Sequence, residues 1–314
     1  MIDFPVDGDG LIRIESTRRV GIADRALSRA AAAGALMWLA PGVYAPRADL
    51  LPQACHRLRA IGEKTHAGHV ISHASAAVLH GLEMLSPDLS RLHVTALSSA
   101  QGYRRARRHL HPGNLTDSDI VQIDGVWATS LERTAFDVAR TTDKQFAGAL
   151  AVLDSALRLG ADTAMLAALG RVVQVGVRTA RTAVQYADGL SENPGESWGR
   201  AQMIAGGLPV PQLQKPLHHR GYFVARPDYD WRDHLGRVRL VGEFDGVGKY
   251  LKYLRDGETA EDAIRREKGR EGKLQDMGII VVRWGWADLH AGRVAPRIRA
   301  QLNALGLLAH ASTS

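Results

Sequence analysis

Phe223-Val-Ala-Arg-Pro-Asp-Tyr-Asp-Trp231, followed after Asp233-His-Leu-Gly236 by Val238-Arg-Leu-Val-Gly-Glu-Phe-Asp-Gly-Val-Gly-Lys-Tyr250, is the stretch whose reading decides the fold. Each run is rich in β-branched and aromatic residues with acids at alternate positions, and a turn-forming Gly236 lies between them, so two antiparallel strands are predicted. A register symmetric about Leu235 and Gly236 sets Asp228 opposite Glu243 and Arg226 opposite Asp245, and brings three carboxylates to one patch. Acids facing each other across a ladder at about 5 Å repel. Such a pair calls for a cation, and a hard divalent ion with oxygen ligands meets the need. Lys249 follows just beyond Gly246. The competing reading of each acid alone is a solvated strand surface, with Asp245-Gly246 as an ordinary turn.

Pro227-Asp228, Glu243-Phe-Asp-Gly246 and Lys249 together resemble the motif of the PD-(D/E)XK nuclease superfamily. The resemblance implies that Asp228 and Glu243, with Asp245 beside them, hold Mg²⁺ or Mn²⁺, and that a lysine helps to place a water and to stabilise charge on the phosphate. Asp245 stands where the lysine normally does, so that role passes to Lys249. The segment from Pro194 to Leu289 also resembles Vsr-type, short-patch-repair-like endonuclease domains, through Glu196, Asp228, Glu243 to Gly246, Glu267 and a closing strand Ile279 to Trp286. Glu196 has a second reading as the N3 acid of a helix opening at Asn193-Pro194, and the sequence leaves both open. The strand Ile279 to Trp286 is expected beside that of Glu243, reached by a helix over Ala260 to Asp276.

The bounds are those of a multidomain globular protein. The chain has 314 residues, 45% hydrophobic and 23% charged, which fits folded domains rather than disorder. No apolar run reaches a membrane span and Met1-Ile-Asp-Phe is no signal segment, so no membrane partner and a cytoplasmic location are expected. Cys55 is the one cysteine, which excludes an intrachain disulfide. Forty Lys and Arg against 33 acids make a net charge of +7, a surface suited to a polyanion.

Toward the N-terminus, Glu15 to Gly21 and Asp24 to Gly34 read as two helices, and Leu36 to Tyr44 as two strands around Pro41-Gly42. The order, with its Gly42-Val-Tyr44 ending, resembles the winged helix-turn-helix that opens AbiEi-type antitoxins of type IV toxin–antitoxin systems. The resemblance implies that Arg25, Ser28 and Arg29 face DNA. Met37-Trp-Leu-Ala40 fills the wing where that family favours arginine. Ser72-His-Ala-Ser-Ala-Ala-Val-Leu-His-Gly-Leu82 and Thr129-Ser-Leu-Glu-Arg-Thr-Ala-Phe-Asp137 carry the same resemblance through the middle. Arg104 to His111 is expected as one basic, DNA-facing strand presenting Arg104, Arg105, Arg107 and Arg108, and the five histidines of this region show no zinc spacing.

The fold class expected is a multidomain α+β and α/β chain. A small winged helix-turn-helix takes residues 1–50, a mixed α+β domain with a helical linker 51–190, and a nuclease-like α/β/α domain 191–314. Two functions follow: a DNA-binding protein with a Mg²⁺-dependent endonuclease domain, or an AbiEi-type antitoxin that binds its own promoter and a cognate toxin and keeps the nuclease fold as a scaffold.

Overall fold

In the computed structural model, which describes residues 2–63, 68–99, 101–246 and 259–308, the fold is mixed α+β. The chain forms two compact units, one of Met1–Thr142 with Ala161–Val177 and the other of Asp143–Gly160 with Arg178–Ser314. These cuts fall elsewhere than at 50 and 190, for reasons visible in the packing of each unit.

The first unit opens with β1 (Ile12–Arg13), α1 (Ile14–Arg19) and α2 (Asp24–Ala32), then β2 (Leu36–Ala40) and β3 (Val43–Pro46). The helix, turn, helix and hairpin expected from the sequence are present, with strand order β1-β3-β2. Arg18 Nη2 sits 2.6 Å from Asp24 Oδ2 and ties the two helices at their junction. Gly42 turns the hairpin at φ +74, where a side chain would also meet Ile14 at 2.9 Å. Next come α3 (Pro52–Gly62), β4 (His69–Ile71), α4 (His73–His80), β5 (Leu92–Ala96), β6 (Ser98–Ser99), β7 (Tyr103–Arg104), β8 (Arg108–His111), β9 (Gly113–Asn114), β10 (Ile120–Ile123), β11 (Val126–Thr129) and α5 (Leu131–Thr141). Leu11, Leu39 and Val43 share one apolar cluster with Ala60, Ile71, Val94 and Leu110. The hairpin thus buries its inner face in the middle sheet, and residue 50 marks no break in the core.

The middle sheet has the order β10-β11-β4-β5-β8-β7. The single strand expected over Arg104 to His111 is two strands: β7 and β8 are antiparallel around a tight turn closed by Arg105 N–H to Arg108 O at 2.8 Å. Four arginines in five positions crowd like charges along one strand, and the turn spreads them.

The chain leaves this unit for α6 (Gln145–Arg158), returns for α7 (Thr163–Leu169), and leaves again near the start of α8 (Val177–Tyr186). What draws α6 into the second unit is Asp154, fully buried, whose carboxylate accepts from Arg200 Nη2 at 2.6 Å and Ser197 Oγ at 2.7 Å. Burial pushes the Asp154 carboxyl up, against the pull of Arg200. Both partners lie on α9 (Pro194–Ala205), so α6 and α9 are held by a buried charge pair.

After α9 come β12 (Gln212–Leu213), β13 (Leu217–His219), β14 (Tyr222–Ala225), β15 (Tyr229–Arg232), β16 (Val238–Phe244), α10 (Ala260–Asp276), β17 (Ile280–Trp284), α11 (Trp286–His290) and α12 (Val294–Ala304). Strand order is β12-β15-β16-β17, with β15 antiparallel and β17 parallel to β16. The register of β15 and β16 is the expected one, Tyr229 opposite Gly242 and Trp231 opposite Leu240, with a bulge at Arg232. The first strand is shorter than expected. At Arg226-Pro-Asp228 the chain departs, and β14 pairs instead with β13; a proline cannot donate to a ladder. Arg226 therefore does not face Asp245, and its Nη2 lies 2.5 Å from Glu192 Oε1.

Tyr229, Leu240, Phe244, Val282 and Trp284 form one apolar face with Met203 and Ile298, whereas Val241 packs on the other with Leu217, Leu274 and Ile279. Helices cover both faces, an α/β/α arrangement. On the first face α9 sits so close that a Cβ on Gly195 would lie 2.2 Å from Phe244 Cε1, and one on Gly199 3.0 Å from Trp284 Nε1. Gly195→Ala is therefore expected to lower stability by about 1–3 kcal/mol through overpacking, read as a fall in the urea midpoint.

Candidate functional site

The acids singled out from the sequence gather where β15 begins, β16 ends and α9 starts. Asp228, half-buried, stands one residue before the β15 ladder; its Oδ2 accepts the Phe244 N–H at 2.7 Å, and its Oδ1 accepts Gln214 Nε2 at 3.2 Å. The Gln214 amide also reaches Glu196 Oε2 at 3.5 Å, so one side chain joins two of the acids. Glu196 is 3% exposed, and it accepts the Glu192 N–H at 2.7 Å and Asn193 Nδ2 at 2.6 Å. Asn193 Oδ1 in turn accepts the Gly195 and Glu196 N–H groups at 3.0 Å each. Asn193 therefore caps the helix, while Glu196 accepts from the Glu192 N–H and the Asn193 side chain rather than from the N-cap N–H of a capping box, and the same carboxylate touches the Asp228 network.

Glu243 is buried on the other face of β16 and lies between two arginines. Arg270 of α10 places Nη1 3.0 Å from Oε1 and Nη2 3.0 Å from Oε2, and Arg283, its cross-strand neighbour on β17, places Nε 3.0 Å from Oε2. Arg283 also binds Glu271 at 2.9 Å. The cation inferred from opposed acids is thus supplied by the chain itself, and the repulsion argument alone does not require a metal. Asp245 is exposed, its backbone N–H bonded to Trp284 O at 2.8 Å. Lys249 lies outside the described residues, and Glu267 stands on α10.

The donor chemistry at this end of the sheet is all carboxylate and amide oxygen, which fits a hard divalent ion. Glu243 Oε1 adds to the fit: it is buried with no hydrogen-bond donor, since Arg270 Nη1 approaches as an ion pair only. Among the described residues, however, the three acids do not converge as a group of ligand atoms; the group of three that does is His93, His109 and His111.

In the first unit Arg25, Ser28 and Arg29 are exposed along α2, whose buried side carries Ala26 and Leu27. Arg104, Arg105 and Arg107 are exposed, but Arg108 is half-buried and bound to Glu63 at 2.6 Å, so it is not a free surface cation. Arg107 places its guanidinium 4.4 Å from the ring centre of Trp38 on β2. The β2–β3 hairpin carries no arginine of its own, and one from the β7–β8 turn stacks on it instead. Trp38, Pro41, Arg59, Arg107 and Arg108 line a cleft of about 630 Å³.

Three contributors were not singled out from the sequence. Arg270 and Arg283 looked like members of mixed-charge or apolar runs, and Gln214 lies in a short loop. Its backbone is the signal: φ is +52, a left-handed conformation for a non-glycine residue.

No family model matches the chain. Two uncharacterized proteins of Mycobacterium tuberculosis, from strains CDC 1551 and H37Rv, are each 33% identical to it over 190 residues, covering 58% of this chain and 64% of theirs. The match therefore spans less than two thirds of those relatives. No helix among the described residues is long and apolar enough to cross a membrane.

Gln214 separates strain from bonding. Gln214→Gly relieves the backbone and loses the amide, whereas Gln214→Ala loses the amide and keeps the strain, so the glycine variant is expected to be more stable than the alanine variant by about 1 kcal/mol in chemical denaturation.

Proposed function

We propose that the protein binds double-stranded DNA through its first unit and hydrolyses phosphodiester bonds in the second, as a Mg²⁺- or Mn²⁺-dependent endodeoxyribonuclease. The observation that carries the reading is the placement of Asp228 and Glu243 at one end of adjacent strands, with Asp228 bonded to the peptide N–H of Phe244, the residue after Glu243. Topology supports it: helix α9, the antiparallel pair β15–β16, crossover helix α10 and parallel strand β17 follow in the order that the motif resemblance implies.

Asp228 and Glu243 would hold the ion, with Asp245 beside them, and the ion when bound would lower the pKa of a water and polarise the phosphate. Arg270 and Arg283 orient Glu243, and among the described residues they are the cations paired with this carboxylate that could meet phosphate charge. Lys249 is assigned the water-positioning role that the resemblance gives it. Gln214 and the Phe244 N–H hold Asp228 in place.

A second reading is favoured by the arginine clamp. A carboxylate neutralised by two guanidinium groups has no electrostatic need of a metal, as in an AbiEi-like antitoxin or autoregulator that binds its promoter and a cognate toxin and keeps the second unit as scaffold. Cleavage decides between the two. Supercoiled DNA is expected to be nicked with Mg²⁺ or Mn²⁺ and spared with EDTA, and Asp228→Asn, Glu243→Gln and Lys249→Ala to slow nicking about a hundredfold or more with folding retained. A wild-type protein that binds duplex DNA and nicks none with either ion supports the scaffold reading.

DNA binding has its own test. Arg25→Ala with Arg29→Ala is expected to weaken duplex binding uniformly across sequences and to reduce the slope of log affinity against log salt by about 2, measured by fluorescence anisotropy. An unchanged slope would remove α2 from the interface.

A further inference from the structure

We propose that His93, His109 and His111 form a binding site for a divalent transition metal ion, zinc foremost, with three imidazole ligands and a fourth position left to water or an anionic oxygen. The site lies in the first unit, apart from the carboxylates, and does not depend on nuclease activity.

Strand geometry assembles it. His109 and His111 are two apart on β8 and share a face, and His93 on β5 is the direct parallel partner of His109. Leu92, Val94 and Leu110 take the opposite side into the core, which fixes the three imidazoles on one face. One ligand nitrogen from each ring falls within 4.8 Å of the others. His93 Nδ1 and His111 Nε2 are 2.9 Å apart, so a single proton serves the two nitrogens in the free protein. Tetrahedral zinc at its usual bond lengths separates nitrogens by about 3.3 Å, which small ring rotations supply when the ion replaces that proton. Among the described residues no hydrogen bond engages the His109 ring, whose neighbours are the His93 ring at 5.2 Å and the His111 ring at 3.8 Å.

A supporting layer is built behind the ligands. The His73 ring stacks on His111 at 3.6 Å; its Nε2 faces Arg140 Nη2 at 3.4 Å, so that nitrogen is the acceptor and Nδ1 carries the proton toward Ser72 Oγ at 3.0 Å. His73 is thus a wall and not a ligand. Arg140 is held by the buried Asp137 at 2.7 Å, which also binds Arg133 at 2.8 Å. His73 keeps a left-handed backbone, φ +49, to reach this position, a strain of the kind found at sites that need it. Burial and neighbouring imidazoles push His93 down to about 4 and His111 to about 2, so both are neutral, the ligand form, at physiological pH.

The donor set chooses the ion. Three imidazoles with no carboxylate suit Zn²⁺, Co²⁺, Ni²⁺ or Cu²⁺ and not Mg²⁺. Arg104, paired with His109 across the β7–β8 ladder, adds positive charge that favours an anionic fourth ligand.

The test uses the full chain without a polyhistidine tag, stripped with chelator. Calorimetric titration with Zn²⁺ is expected to give one site per chain at micromolar affinity or tighter, and Co²⁺ a visible absorption band of tetrahedral intensity. His109→Asn, at a half-buried position, is expected to fold as wild type by near-ultraviolet circular dichroism and to lose the band with at least a tenfold weaker Zn²⁺ affinity, as is His93→Gln, whereas Asp228→Asn keeps both. Zinc binding no tighter than millimolar, or binding and a cobalt band unchanged in the His93→Gln/His109→Asn double variant, would overturn the site.

Discussion

The close approach of α9 to β16 and β17 is the constraint on which the second unit depends. Gly195 and Gly199 lie four residues apart on one helical face, and the aromatic rings of Phe244 and Trp284 occupy the space that side chains there would need. The backbone of α9 consequently rests on the sheet, and Tyr229, fully buried, donates its hydroxyl to Glu196 O at 2.6 Å. That contact sets the N-terminus of α9 over the end of β16, which is why Glu196, Gln214 and Asp228 can share one hydrogen-bond network. On the helix's other side Arg200 meets Asp154 and the Tyr186 carbonyl, so the same helix is fixed from both directions.

The two clusters of titratable groups solve their electrostatics differently. Around Glu243 charge is balanced by charge: two guanidinium groups offset one buried carboxylate, an arrangement in which loss of either side leaves an uncompensated ion. Around His111 charge is avoided, because burial and mutual repulsion keep the imidazoles neutral, with one proton between His93 Nδ1 and His111 Nε2. The first arrangement is ready for an anion that competes for the arginines, and the second for a cation that replaces a proton.

Much of this was legible in the chain. Alternation of apolar and polar residues with Gly236 at the turn determined the β15–β16 register, because a slip of one residue would turn every buried side chain outward. The parallel pairing of β17 followed from the helix between it and β16. The helices and hairpin of the first 50 residues were equally marked by Asp24, Gly34 and Pro41-Gly42, each acting on its own neighbours in sequence. What these signals share is locality.

What tertiary structure alone decided is which distant groups meet. Arg270 and Arg283 reach Glu243 from 27 and 40 residues away, and nothing in their own runs distinguishes them from solvated cations. Pro227 signalled that the first strand must break, and β14 pairs with β13 in a local hairpin whose turn, Arg220-Gly221, has both residues at positive φ. His93 is brought beside His109 by a parallel register between strands joined by an excursion through β6 and β7, so no linear spacing of histidines could announce the cluster. Sequence determines side-chain period, turns and caps because these depend on dihedral preferences over a few residues; the partners of a buried charge or a lone pair depend on the packing of the whole unit.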